Sequence, residues 1–240
     1  MRRFALIGHP VAGSLSPRLF AAAYGGRYSY DLLDYARFED AWQAFLDGYE
    51  GINVTAPFKL DAFARVDLRA ESALETGAVN LVIRTPEGLK GYNTDVDGIT
   101  GAVREAGLPV ADVLVVGTGG AARAAVAAAR QLGRSVTVTG RSLPKAQALG
   151  CPALPLEEVS AWEGDNPLIL YTLPALAPVP EGLPLQNAVV LEAEYKAPRL
   201  AQLPCRAYLS GRRWLLHQAL AGYSLFTGEV PSAREMLRVL

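Results

Sequence analysis

The chain has little with which to hold a metal ion. Among 240 residues there are two histidines, His9 and His217, and two cysteines, Cys151 and Cys205. Their positions match no metal-ligand spacing, so no metal is expected. Two cysteines also leave the redox compartment open. Neither sign of charge is in excess: 23 basic residues face 24 acidic ones, with no polybasic run. Nucleic acid and membrane surfaces are therefore not expected partners. No apolar run approaches the ~18 residues that suggest a membrane span. At the N-terminus, "MRRFALIGHP" meets Gly8 and Pro10 after a short apolar stretch, too short for a signal peptide. The default expectation is a cytoplasmic protein. One absence is local: no Asp or Glu occurs between Val113 and Leu156.

Half of the residues are hydrophobic. That is enough to bury one large core or two small ones. Strand-like and helix-like segments alternate. "RRFALIG", "RYSYDLLD", "GINVT", "AVNLVIRT" and "LKGYNTD" read as strands. "SPRLFAAAY", with Ser16 as cap and Pro17 in the first turn, "RFEDAWQAFLD", residues 58–74 and "DGITGAVREAG" read as helices. A new rhythm starts at Asp112: "VLVVG", an alanine-rich helix, "SVTVTG", then strands in "PLILYT", "AVVLE" and "RAYLS". The last segments, "RRWLLHQALAGYSLFTG" and "SAREMLRVL", read as helices. Residues 141–187 are rich in Pro and Leu and leave most of their elements unassigned. The alternation implies a mostly parallel α/β architecture.

"VLVVGTGGAARAAVAAARQLG" carries the strongest fold signal. Gly117, Gly119 and Ala122 stand at G-x-G-x-x-A spacing, with Gly120 and Ala121 between them. The motif follows an apolar strand and opens a helix. The first glycine permits a tight turn and the second lets a pyrophosphate approach the backbone. The small third residue lets helix pack on strand. This reads as a Rossmann dinucleotide site. An NAD site expects an acidic residue near the end of the next strand. Here Arg141 and Ser142 follow "SVTVTG", with Lys145 nearby. Arginine suits a 2′-phosphate, so the expected cofactor is NADP(H).

Other short signals lie outside that unit. "SLSP" holds the hydroxyls of Ser14 and Ser16. "GINVTAPFK" sets Asn53 and Thr55 into an apolar strand and leaves Lys59 just past a proline. "GAVN" supplies Asn80, "YNTD" supplies Asn93 and Asp95, and "HQALAGY" supplies Gln218. Each has an ordinary explanation: Ser16 a cap, Asp95 a helix start, Asn80 a turn residue, Gln218 a solvated helix position.

Together, "SLSP … NVTAPFK … GAVN … YNTDVDG … GTGGAARA … HQA" resembles the shikimate dehydrogenase family over nearly the whole chain, most weakly between about Arg141 and Ala207. The resemblance implies two α/β domains and reversible NADPH-dependent reduction of 3-dehydroshikimate to shikimate in aromatic amino-acid biosynthesis. By resemblance, Lys59 and Asp95 are the catalytic pair, and Ser14 and Ser16 hold the carboxylate. Thr55, Asn80 and Gln218 contact substrate, with Asn53 and Tyr195 as further contacts. The expected boundaries are 1–101 plus 213–240 for the substrate domain and 102–212 for the Rossmann domain. The expected form is a monomer or homodimer acting on small molecules.

Several positions depart from the family pattern. Gly13 stands where a histidine is usual. "YTLPALAP" replaces an Asn-small-Thr/Ser-Gly run that lies on the nicotinamide side, and Gly140-Arg141-Ser142 replaces Asn-Arg-Thr. The chain is also short for the family. Two alternatives follow: a paralogue acting on quinate or a similar acid, or a non-catalytic NADP(H)-binding sensor.

Overall fold

Short strands of aliphatic residues, each ended by glycine, proline or a polar turn, assemble into two six-stranded sheets. The computed structural model describes residues 2–240. The chain forms two compact units, one of residues 1–94 with Leu216–Leu240 and one of Asp95–Leu215.

The first unit holds β1 (Arg3–Gly8), α1 (Ser16–Tyr24), β2 (Ser29–Asp34), α2 (Phe38–Leu46), β3 (Gly51–Val54), α3 (Lys59–Arg65), β4 (Leu68–Arg69), α4 (Glu71–Thr76), β5 (Leu81–Thr85) and β6 (Gly88–Tyr92). Its sheet runs β2-β1-β3-β5-β6-β4. β1 pairs in parallel with β2 and β3, whereas β3–β5 and β5–β6 are antiparallel. The turn through "PEG" is too short for a crossover, so β5 and β6 must be antiparallel. This sheet is therefore mixed. The helical stretches expected within residues 58–74 are α3 and α4, with the unexpected short strand β4 between them. Leu68 and Arg69 pair with Lys90 and Gly91 of β6, and the flanking N–H groups of Asp67 and Ala70 donate to Leu89 and Gly91 carbonyls. Tertiary pairing there overrides local helix preference.

The second unit holds α5 (Asp95–Ala106), β7 (Asp112–Val116), α6 (Gly120–Gln131), β8 (Ser135–Gly140), α7 (Leu143–Gln147), β9 (Ala153–Pro155), a 3-10 turn (Leu156–Ala161), β10 (Leu168–Tyr171), β11 (Val189–Glu192) and β12 (Ala207–Leu209). Its sheet runs β12-β11-β10-β7-β8-β9, parallel throughout. Helix α8 (Gly211–Thr227) starts in this unit and contributes residues from Leu216 onward to the first, which α9 (Ala233–Leu237) completes. The first boundary falls ahead of the expected 101/102 because α5 packs on α6, through Val96, Ile99 and Val103 in the core of the second unit.

Candidate active site

In the first unit the polar residues set into apolar strands meet one another. Asn53, on β3, accepts the Tyr30 hydroxyl at 2.7 Å through Oδ1 and donates to the Asn80 carbonyl at 3.3 Å. Asn80 lies just before β5 and is buried. Its Oδ1 accepts the Thr94 N–H at 2.8 Å, and its Nδ2 donates to Gln218 Oε1 at 3.4 Å. Gln218 can reach it because α8 rides close over β5: a Cβ on Gly222 would lie 2.7 Å from Leu81 Cδ1. The Val79 N–H donates to the Lys59 carbonyl at 3.0 Å, which brings the head of α3 to the "GAVN" turn. Lys59 is the first residue of α3 and is half-buried. Thr55 follows directly after β3, with its N–H on the Ile7 carbonyl.

Ser14 and Ser16 are joined, hydroxyl to hydroxyl, at 3.1 Å, and Ser14 Oγ also accepts the Ser16 N–H. Ser16 is not the cap of α1. That position falls on Leu15, and no side chain caps the helix. The serine pair closes the loop on itself, and the Ser16 hydroxyl also meets the Tyr30 phenol. The Tyr223 hydroxyl donates to the Ser16 carbonyl at 3.1 Å. Burial pushes the Tyr30 phenol well above its ordinary value, so it remains a donor at any working pH. Sequence reasoning missed Tyr30. Its only signal was a polar-tipped aromatic in a strand next to the "SLSP" loop. Asn93 becomes scaffold: it is fully buried and donates to Thr76 Oγ1 at 3.0 Å and the Ala78 carbonyl at 3.2 Å.

In the second unit Asp95 opens α5 and is 5% exposed. The indole N–H of Trp214 donates to it at 3.2 Å. Trp214 is thus both a core residue and a holder of this carboxylate. Tyr195 is half-buried in the loop after β11.

Also in the second unit, the glycine loop joins β7 to α6. Gly117 has φ +127°, and a Cβ there would lie 2.2 Å from Thr172 Oγ1, so only glycine fits. Gly119 is the N-cap of α6, where no side chain caps the helix and no acidic residue lies in the first turn. The N–H groups of Gly120, Ala121 and Ala122 therefore remain for an anion, and open space over Gly119 admits one. This cradle fits a dinucleotide pyrophosphate. Ser142 caps α7 by position, without a side-chain bond, and Lys145 is exposed on that helix. Arg141 is exposed and lines a cavity of about 660 Å³ with Glu157, Ser160 and Glu181. Acidic residues from outside residues 113–156 thus line the same cavity, Glu157 from the 3-10 turn and Glu181 from further along the chain. Among the described residues, no group of His, Cys, Asp and Glu could hold a metal ion. No helix among them is long and apolar enough to cross a membrane.

The family model described as the shikimate dehydrogenase substrate binding domain matches residues 6–82. A shikimate dehydrogenase (NADP(+)) from Acidiphilium cryptum is 35% identical, over 97% of this chain and 92% of its own length. The crystal structure of shikimate 5-dehydrogenase from Thermus thermophilus, in complex with NADP(H) and shikimate, matches 100% of both chains with a TM-score of 0.85 and 31% identity. Quinate dehydrogenase from Corynebacterium glutamicum in complex with NAD has a TM-score of 0.85 at 25% identity, covering 99% of this chain and 98% of that one. With 35% identity sustained along nearly its full length, the chain belongs to the shikimate dehydrogenase family.

Proposed function

We propose that the chain catalyses the reversible NADPH-dependent reduction of 3-dehydroshikimate to shikimate, a step of aromatic amino-acid (chorismate) biosynthesis. The observation that carries this reading is the set of Ser14, Ser16, Asn53, Asn80 and Gln218 linked through Tyr30, with the head of α3 at Lys59 bonded to the neighbouring Val79. A cyclic polyol acid needs many fixed hydrogen-bond partners, and buried partners left unpaired would reject the wrong substrate.

Bound NADPH would supply the hydride. Held by the N–H groups of Gly120, Ala121 and Ala122, it would be selected by Arg141, Ser142 and Lys145 through its 2′-phosphate. Addition of hydride to a ketone builds negative charge on oxygen. The Lys59 ammonium stabilises that oxygen and delivers the proton. Asp95, which accepts the Trp214 indole N–H, is the second member of the catalytic pair and binds a substrate hydroxyl. Ser14 and Ser16 hold the carboxylate, and Thr55, Asn80, Gln218, Asn53 and Tyr195 are the further substrate contacts. On this reading residues 1–101 with 213–240 serve the substrate and 102–212 serve the cofactor. The working form is a cytoplasmic monomer or homodimer, which light scattering distinguishes.

The test is absorbance at the reduced-nicotinamide band with purified protein, shikimate and NADP⁺, with Lys59→Ala beside it. Growth of the band is expected. The variant should lose turnover by ~10² or more while cofactor affinity holds, as for loss of an acid–base group. Unchanged turnover would remove Lys59 from the mechanism. The quinate-linked relative supports a second reading, in which quinate is the better substrate. Steady-state kinetics with both acids and both cofactors separates the two. NADPH binding with no turnover on either acid would instead indicate a sensor, the function suggested by the altered "YTLPALAP" run.

A further inference from the structure

Two loops leave the carboxyl ends of β10 and β11 in the second unit, and one side chain fastens them together. Glu192, the last residue of β11, is 0% exposed. Its Oε1 accepts the Arg199 N–H at 2.6 Å. Its Oε2 accepts the Leu200 N–H at 3.1 Å and the Tyr208 hydroxyl at 2.8 Å. The backbone of Arg199 is therefore anchored in the core. Its guanidinium reaches the other way, to the loop after β10, and donates to the carbonyls of Ala175 at 2.6 Å and Ala177 at 3.4 Å. Those carbonyls flank Leu176, whose surface is 98% exposed. The Ala177 N–H closes the same turn on the Pro174 carbonyl.

The position of this turn gives the exposed leucine a meaning. The sheet order reverses direction between β10 and β7, and dinucleotides lie across the carboxyl ends of strands at such a reversal. Thr172, at the root of the loop, stands against Gly117 of the phosphate cradle. With Arg141 marking the adenosine half beyond β8, the loop after β10 flanks the other half. That half ends in a flat ring with largely apolar faces. An aliphatic side chain set on a pinned turn suits it, and a Leu removed from water there contributes roughly a tenfold gain in affinity or more.

We propose that Arg199 is a positioning residue that holds Leu176 against the nicotinamide half of bound NADP(H). This rests on the cofactor reading above. Both side chains are exposed, so substitution leaves the core intact.

The test measures affinity for NADPH and for 2′,5′-ADP, which carries the adenosine half alone, in wild type, Leu176→Ala, Arg199→Ala and the double variant. Each single variant is expected to weaken NADPH roughly tenfold while 2′,5′-ADP stays unchanged. The double variant should be no worse than Leu176→Ala, since Arg199 acts through the leucine. Arg199→Lys should recover part of the loss, keeping the charge but not the two-carbonyl grip. NADPH affinity unchanged in Leu176→Ala would overturn the proposal, as would equal losses for both ligands in Arg199→Ala. Failure of wild type to bind either ligand would overturn the cofactor reading and this proposal with it. Wild-type binding of both with no effect of the variants would remove this proposal alone.

Discussion

The two units solve the same packing problem with different residues. The first is built on rings. Phe4, Phe20, Tyr24, Tyr28, Tyr30, Tyr223 and Phe226 form one aromatic cluster, and Phe38, Trp42, Phe45 and Phe58 form another. The second is built on small aliphatics: its helix α6 buries Ala122, Ala124, Ala125, Val126, Ala127, Ala128 and Ala129 against a sheet of valines and leucines. An all-parallel sheet is covered on both faces, and alanine lets a helix sit close to it. Over the mixed sheet, rings do the filling. The candidate binding chemistry differs too. The phosphate cradle of the second unit is built from backbone N–H groups at a helix start, beside single side chains such as Asp95 and Arg141. In the first unit it comes from side chains that must first find each other.

If that contrast is right, truncation should hurt the first unit most. Phe20 is fully buried and meets Phe4, Tyr24, Tyr28, Tyr30, Tyr223 and Phe226. Phe20→Ala is expected to cost about 3–5 kcal/mol, against about 1 kcal/mol for Ala125→Gly in α6. Urea unfolding of both variants measures this, and equal costs would break the comparison. Next, Arg141→Ala should weaken NADP⁺ roughly tenfold more than NAD⁺, as expected for a charged hydrogen bond to a phosphate. Calorimetry with each cofactor checks it. Equal losses would show that Arg141 does not read the 2′-phosphate, and would turn attention to Glu157 and Glu181 in the same cavity.

A smaller effect is expected at Tyr30. Tyr30→Phe removes the donor to Asn53 while keeping the ring in its cluster. The KM for shikimate should rise by about threefold to tenfold, the worth of one neutral hydrogen bond, with NADPH affinity unchanged. A change in cofactor affinity instead would sink the assignment of Tyr30 to the substrate side.

The smallest effect is on acid stability. The Val11 N–H, helped by His9, holds the Asp34 carboxyl below its ordinary value. Tyr28 and Arg27 do the same for Glu229, and Ser135 with the Asp165 N–H for Asp112. A carboxyl with a depressed folded value contributes stability that is present above its unfolded value and lost as pH falls through the folded one. The urea midpoint should therefore decline as pH drops below about 4, and Asp34→Asn should flatten that decline. A midpoint that rises on acidification would refute the sign.

Much of the architecture was legible from residue order. "SVTVTG" forms its strand over the expected residues, and the glycine loop follows a strand and opens a helix as its spacing implies. These are local signals: apolar periodicity and glycine placement act within a few residues. Other expectations gave way where distant pairing intervened. The short β4 separates the helical stretches of residues 58–74, because Leu68 and Arg69 find β6. Ser16 gives up the cap because Ser14 and Tyr30 engage it. The acidic residues absent near Arg141 arrive from residues 157 and 181.

The sequence by itself determined the alternation of strands and helices, the phosphate cradle and the identity of the residues that belong to the family pattern. Those depend on chain-local geometry, in which a glycine or a buried run permits few alternatives. Only the tertiary structure decided which polar groups meet: Tyr30 with Asn53, Asn80 with Thr94 and Gln218, Trp214 with Asp95, and Arg199 with the turn at Leu176. Those partners lie from 14 to 138 residues apart. Hydrogen bonds act over about 3 Å, so only the folded sheet and helices bring them within reach.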